Sequence, residues 1–305
     1  MIWQRPDKPD FERFRKALRR EEPDRVPLAE LLVAEDVKAA FMGHPIRTLA
    51  EDIEFWQCAG YDFYPSGVGL LKPGEIVDAA SQTMEAGYGL YQDTNTRRWA
   101  MEHEGAITSM ADFERFPWPD ANAFDLSILD EAAALLPAGM KIVIDEGKIF
   151  TPVWMLMGFV HFCLALHEDL PLVEKLFQRV GEFQYEVAQR VLQHPRVGAL
   201  WMPDDLAYKT GLMLRPQIFR QYLFPWYAEI GKLAKAKNIP YIFHSDGRLW
   251  EVMEDIVAAG FDALHPIEPG AMDIYEVKER YGDKLALIGN MDLRSTLTLG
   301  TPADV

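Results

Sequence analysis

Tyr241-Ile242-Phe243-His244-Ser245-Asp246-Gly247 is the stretch on which the reading of this chain turns. Residues 239–243 are apolar and β-prone, and Asn238 and Pro240 punctuate their entry, so a short buried strand is predicted. Side chains alternate along an extended chain, which puts His244 and Asp246 on one side of its carboxyl end. Gly247 ends the run, and residues 249–259 continue with helical spacing. A histidine and a carboxylate so placed can hold a metal or share a proton. The same two residues also suit a plain hydrogen-bonded pair that ties down a strand-to-helix turn.

The pattern repeats in both directions. Downstream, residues 261–264 form a strand candidate ending on His265-Pro266-Ile267-Glu268. Residues 273–281 form a helix, and residues 285–288 a strand ending on Asn290-Met291-Asp292. Upstream, a helix over 215–237 follows a strand over 197–202 that ends on Asp204-Asp205. Before it come an amphipathic helix over 170–192, a helix over 151–167 capped by Thr151-Pro152, and a strand over 141–144 ending on Asp145-Glu146-Gly147. Nearer the N-terminus, residues 25–32, with Glu30 near their end, and 61–65 read as strands. Residues 11–20, 34–42 and 49–59 read as helices, the first capped by Asp10 and the others closed by Gly43 and Gly60.

Residues 84–106, rich in Tyr, Thr and Trp, read as a β-hairpin insertion, and Phe116-Pro117-Trp118-Pro119 as a rigid connector. Thr301-Pro302 reads as the start of a helix. The alternation predicts an α/β fold, a (β/α)8 TIM-barrel-like single domain over 1–305 whose last strand and helix are missing from the pattern. A doubly wound open sheet would also put ligands at strand carboxyl ends. No Gly-x-Gly-x-x-Gly turn or phosphate-binding Walker loop follows any strand.

The 305 residues include 49% hydrophobic ones, enough for a large core. A net charge of -16 disfavours nucleic acid and anionic membranes as partners. It also disfavours a strongly anionic substrate, unless Lys or Arg is focused at the site. Cys58 and Cys163 lack metal-ligand spacing and suit buried thiols in a reducing compartment. The N-terminus lacks an apolar signal core, and the apolar run over 153–166 is too short to span a bilayer, so a cytoplasmic protein is expected.

Acids and histidines at the ends of successive strands share one rim, as a metal or acid/base site requires. Asp205, Glu146 and Tyr208 are the catalytic candidates. His244, Asp246, Glu268 and His265 are the metal candidates, with zinc the ion of choice. Trp154 and Asn290 are candidates for walling a cofactor pocket. Each has a plainer alternative: acids cap helices and turns, a histidine before proline packs, and Trp154 lies in a Met- and aromatic-rich stripe that suits a core.

These residues resemble the uroporphyrinogen decarboxylase superfamily, which includes cobamide-dependent methyltransferases. The resemblance rests on Asp24-Arg25-Val26-Pro27, on Asp204-Asp205-Leu206-Ala207-Tyr208 running into Leu214-Arg215-Pro216-Gln217-Ile218-Phe219, and on Phe243-His244-Ser245-Asp246-Gly247. It continues in Phe261-Asp262-Ala263-Leu264-His265-Pro266 and Ile288-Gly289-Asn290-Met291-Asp292. It implies a (β/α)8 barrel with its cleft at the carboxyl end. Decarboxylases of this kind carry first-strand arginines for the porphyrinogen carboxylates, where this chain has Pro27-Leu28-Ala29-Glu30-Leu31. Asp62 lies near the place of their catalytic aspartate, without the flanking motif. The methyltransferase branch is closer. It uses zinc with a His-x-Cys pair, and here His244-Ser245-Asp246 replaces the thiolate by a carboxylate. Such a harder site suits an oxygen-bound methyl group. The implied activity is transfer of methyl from a small donor to a corrinoid on a partner protein. Uroporphyrinogen decarboxylation and a non-catalytic corrinoid- or tetrapyrrole-binding barrel are the alternatives.

Overall fold

The computed structural model describes residues 8–67, 105–123, 125–145 and 147–305. In chain order its strands are β1 (Phe63–Ser66), β2 (Lys141–Asp145), β3 (Val197–Pro203), β4 (Ala207–Tyr208), β5 (Gly211–Leu212), β6 (Tyr241–His244), β7 (Ala263–His265) and β8 (Ala286–Leu287). All except β4 and β5 form one parallel sheet in the order β1-β2-β3-β6-β7-β8, with helices between successive strands. β4 and β5 pair antiparallel as a small ribbon. Every residue of β3 is buried, because a parallel strand is covered on both faces.

Strand alternation divides the core in two. Phe63, Val143, Ala199, Trp201, Ile242, Ala263 and Ala286 point to one side and form a single cluster. Phe11, Phe14 and Leu18 of the helix Phe11–Leu18 join that cluster and plug it. The opposite faces of the strands, with Ile142, Ile144, Leu200, Met202, Phe243 and Leu264, pack against the surrounding helices in the larger cluster. An inner cluster lined by the sheet and an outer layer of helices make the fold barrel-like, although no strand pairing closes the sheet among the described residues.

Several predicted elements change in the structure. Residues 25–32 form no strand. Pro27 has no N–H to give a ladder, and the Glu30 carboxylate accepts from the backbone N–H of Leu31 at 2.9 Å. Ala29 and Leu31 nonetheless pack on the inner cluster. The helix foreseen over 215–237 is two, Pro216–Tyr222 and Phe224–Ala236, since Pro225 removes a donor at the junction. The one foreseen over 151–167 breaks at Gly158, at φ 76, into Phe150–Met157 and Phe159–Glu168, bent by 93°. Residues 249–259 hold a 3-10 turn and the short helix Met253–Ala258. Thr301 opens no helix, because its N–H and hydroxyl both bind the Asp304 carboxylate in a turn. The hairpin foreseen over 84–106 lies almost wholly outside the described residues. No single described helix is long and apolar enough to cross a membrane.

Helices Leu170–Val191 and Phe224–Ala236 touch closely at Gly181. A Cβ built there would meet the Trp226 ring at 2.4 Å. Gly181→Ala should therefore lower stability by about 1–3 kcal/mol, read as a lower denaturant midpoint at unchanged slope. An unchanged midpoint would show that Trp226 swings aside freely.

Asp62 precedes β1 and so lies at the amino end of the sheet. It is fully buried, and its carboxylate accepts from the Arg13 guanidinium at 2.8 Å and the Asp10 N–H at 2.9 Å. Arg13 also holds both oxygens of Asp24. The Asp24-Arg25 segment and Asp62 thus form a latch under the inner cluster, at the end of the strands away from His244.

Candidate metal and active site

The carboxyl ends of β3, β6 and β7 are in register: Pro203 pairs with His244, and His244 with His265. His244 and His265 follow the inner residues Ile242 and Ala263 two places on, so both imidazoles stand on top of the inner cluster. Their Nδ1 atoms are 2.6 Å apart, with one ring donating and the other accepting. Burial and the nearby Lys148 push the His244 pKa down to about 3. Burial and His244 push His265 down to about 2. Both rings are therefore neutral at physiological pH, with lone pairs available. His265 also packs edge-on to Trp201, 5.0 Å between centroids.

On its outer side, His244 Nε2 lies 3.6 Å from Asp205 Oδ1. The same Asp205 oxygen accepts from the Asp246 N–H at 2.8 Å. Asp205, His244 and Asp246 each offer an atom within 4.8 Å of the others, so all three can face one ion. Two zinc bonds of about 2.1 Å at a tetrahedral angle separate their ligands by about 3.4 Å, near the His244–Asp205 spacing. One nitrogen and two carboxylates leave coordination positions open, as in catalytic sites. The electrostatics also fit a cation. Burial, Asp205 and Glu268 push Asp246 up to about 7. Asp205 is raised by desolvation, although its side chain is 52% exposed.

The neighbouring Asp204 has a different task. It is fully buried, and five groups donate to its carboxylate: the N–H groups of Ile149, Phe150 and Thr151, the Thr151 hydroxyl, and the Tyr227 hydroxyl, at 2.6 to 2.8 Å. The cap of helix Phe150–Met157 therefore comes from Asp204, the residue after β3, not from Thr151. The Gln184 side chain donates to the Lys148 carbonyl at 2.9 Å, and Gly147, at φ 110, fits where a Cβ would lie 2.8 Å from Met202. The loop after β2 is thereby clamped at the rim. Ser245, also buried, accepts from the Leu206 N–H and locks the ends of β3 and β6 together.

The sequence model for uroporphyrinogen decarboxylase (URO-D) matches residues 102–305. The chain belongs to the URO-D family. A solved methyltransferase from Methanosarcina mazei has the same fold, with a TM-score of 0.66 and 20% identity over 95% of this chain and 85% of that one. No curated protein matches the chain.

Within this URO-D fold the residues singled out from sequence separate into groups. Asp205, expected as a catalytic acid, joins His244 and Asp246. Glu268 stands apart from that trio: it pairs with Lys209 at 2.9 Å and accepts from the Gly247 N–H. His265 lies behind His244, and its Nδ1 is engaged there. Asp62, matched to the decarboxylase aspartate, belongs to the latch at the other end of the strands. Tyr208 is 58% exposed on β4 at the rim. Trp154 packs edge-on to Phe159 and against the outer core, its indole N–H buried without an acceptor among the described residues. Asn290 is half-buried beyond β8. Glu146 lies outside the described residues. Sequence reasoning overlooked Lys148, whose charge reaches Asp145, Asp205 and His244. The only signal was a lysine three residues beyond a strand end in an acidic chain. Asp145 itself is pushed up to about 6 by burial, and one of its oxygens is buried without a partner.

Proposed function

We propose that this URO-D family member is a methyltransferase that passes a methyl group from a small O-methyl donor to a corrinoid carried by a partner protein. The observation that carries the reading is the convergence of Asp205, His244 and Asp246 at adjoining strand ends. Zinc held by these three residues would supply a Lewis acid for the donor oxygen. His244 stays neutral, and its bond to His265 fixes the ring's orientation, so Nε2 faces Asp205. The proton between the two Nδ1 atoms belongs to His244 when Nε2 serves as a ligand. Ser245 and Asp204 tie the ends of β3, β6 and the loop after β2 together, and the Lys209–Glu268 pair flanks Asp246. The methyltransferase fold of the Methanosarcina protein supports the reading. So does the absence of arginine in Pro27-Leu28-Ala29-Glu30-Leu31, where a decarboxylase needs cations for its many carboxylates.

Zinc-loaded protein should bind about one ion, and His244→Ala should lose most of it, measured by mass spectrometry of the metal. With reduced corrinoid protein and a panel of methoxylated donors, the wild type should give the absorbance of methylcobalamin, and His244→Ala less than about 1% of the rate. Porphyrinogen should not be turned over. Unchanged zinc content in His244→Ala, or no transfer from any donor with metal supplied, would overturn the proposal.

A further inference from the structure

We propose that Lys148 is the substrate-recognition residue of this cleft and that it receives a carboxylate on the methyl donor. The inference rests on the methyltransferase reading above and narrows it to anionic donors. The acidic chain argues against such a donor unless cations are focused at the site, and Lys148 is a cation at this rim. Lys148 sits three residues past the carboxyl end of β2, half-buried, within electrostatic reach of Asp145, Asp205 and His244.

No hydrogen bond or ion pair holds its ammonium among the described residues. Lys209, whose charge also reaches Asp246, is already engaged with Glu268 at 2.9 Å. A solvated surface lysine needs no rigid base, but this one has one. Its carbonyl is held by the buried Gln184, and the three N–H groups that follow it in the chain are all bound to Asp204. A backbone so clamped presents a cation without a hydrogen bond or ion pair among the described residues, within electrostatic reach of Asp205 and His244, at little further entropic cost, which is what selective binding of an anion requires. An O-methyl donor that also carries a carboxylate has one group for the trio and one for the lysine.

The test compares two ligands matched in shape and differing in charge, 3-methoxybenzoate and 3-methoxybenzyl alcohol. Titration calorimetry on the zinc-loaded full chain should show the carboxylate binding about tenfold tighter than the alcohol. Lys148→Gln should abolish that preference, and Lys148→Arg should retain most of it. Both variants keep the clamp, since Lys148 joins it only through its backbone carbonyl, and circular dichroism should match the wild type. Equal affinities in the wild type, no binding of the carboxylate, or a preference that survives in Lys148→Gln would each overturn the inference. Methyl transfer from the alcohol without any carboxylate preference would end this inference while leaving the methyltransferase reading in place.

Discussion

Asp204→Ala is expected to be the most destabilising single substitution in the site region, lowering stability by about 3–5 kcal/mol. Five donors converge on this carboxylate in a fully buried position. Truncation would leave three backbone N–H groups at the start of helix Phe150–Met157 and two hydroxyls without an acceptor. Burial raises the pKa of Asp204 and the donors oppose that shift. Asn is no remedy. Its amide nitrogen would face either the three donors now on one oxygen, Ile149, Phe150 and Tyr227, or the two from Thr151 on the other. Asp204→Asn should therefore also be impaired, by less than Ala. Denaturant unfolding of the three proteins measures this, and a loss below about 1 kcal/mol for Ala would show that water replaces the carboxylate freely. Because the same carboxylate clamps the Lys148 loop, Asp204→Ala should weaken ligand binding as well as stability.

His265→Gln is expected to change how stability depends on acid. In the folded chain His265 is pushed down to about 2 by burial and by His244, whereas an unfolded histidine titrates near 6.5. Between those values the unfolded chain binds a proton that the folded chain refuses. The stability tied to neutral His265 is thus complete above pH 6.5 and is lost as pH falls, by about 1.4 kcal/mol per pH unit. Asp145 and Asp246, pushed up to about 6 and about 7, act in the opposite sense, since the folded chain holds their protons longer. The wild-type curve is therefore flattened, and the difference between wild type and variant isolates the histidine. At pH 7.5 His265→Gln should be the less stable protein. By pH 4.5 the difference should have moved in its favour by about 2–3 kcal/mol. Unfolding with a chelator present keeps metal binding out of the comparison. A difference that stays constant with pH would show that His265 titrates normally in the fold.

Much of the site could be read in the chain because strands obey a period of two. The run at 239–247 places His244 and Asp246 on one side of a strand end, and the successive strand ends at Asp205 and His265 follow the same rhythm. The division of the Asp204-Asp205 doublet could not be read. Two adjacent aspartates look alike in sequence, and only the packing turns one into the core, where helix Phe150–Met157 and Tyr227 supply donors, and the other toward His244. Residues 25–32 misled for a related reason: their apolar content reads as a strand, but Pro27 and the Glu30 side chain remove the bonds a ladder needs.

Glu268 and Lys148 show the same limit at longer range. Glu268 shares a rim with His244, and a rim is all that sequence spacing defines. Whether it faces the trio or a lysine depends on the β4–β5 ribbon, which brings Lys209 within 2.9 Å of it. Lys148 carries no motif, and its importance comes from the groups that hold its loop from β3 and from helix Leu170–Val191. Local sequence thus determined the strand-helix alternation from β2 onward and the placement of His244 and Asp246 at a strand end, since each follows from the periodicity of the backbone. Tertiary structure alone decided which carboxylates join that histidine and which pair with a lysine, because those are contacts between residues distant in the chain, set by how the strand ends and loops pack.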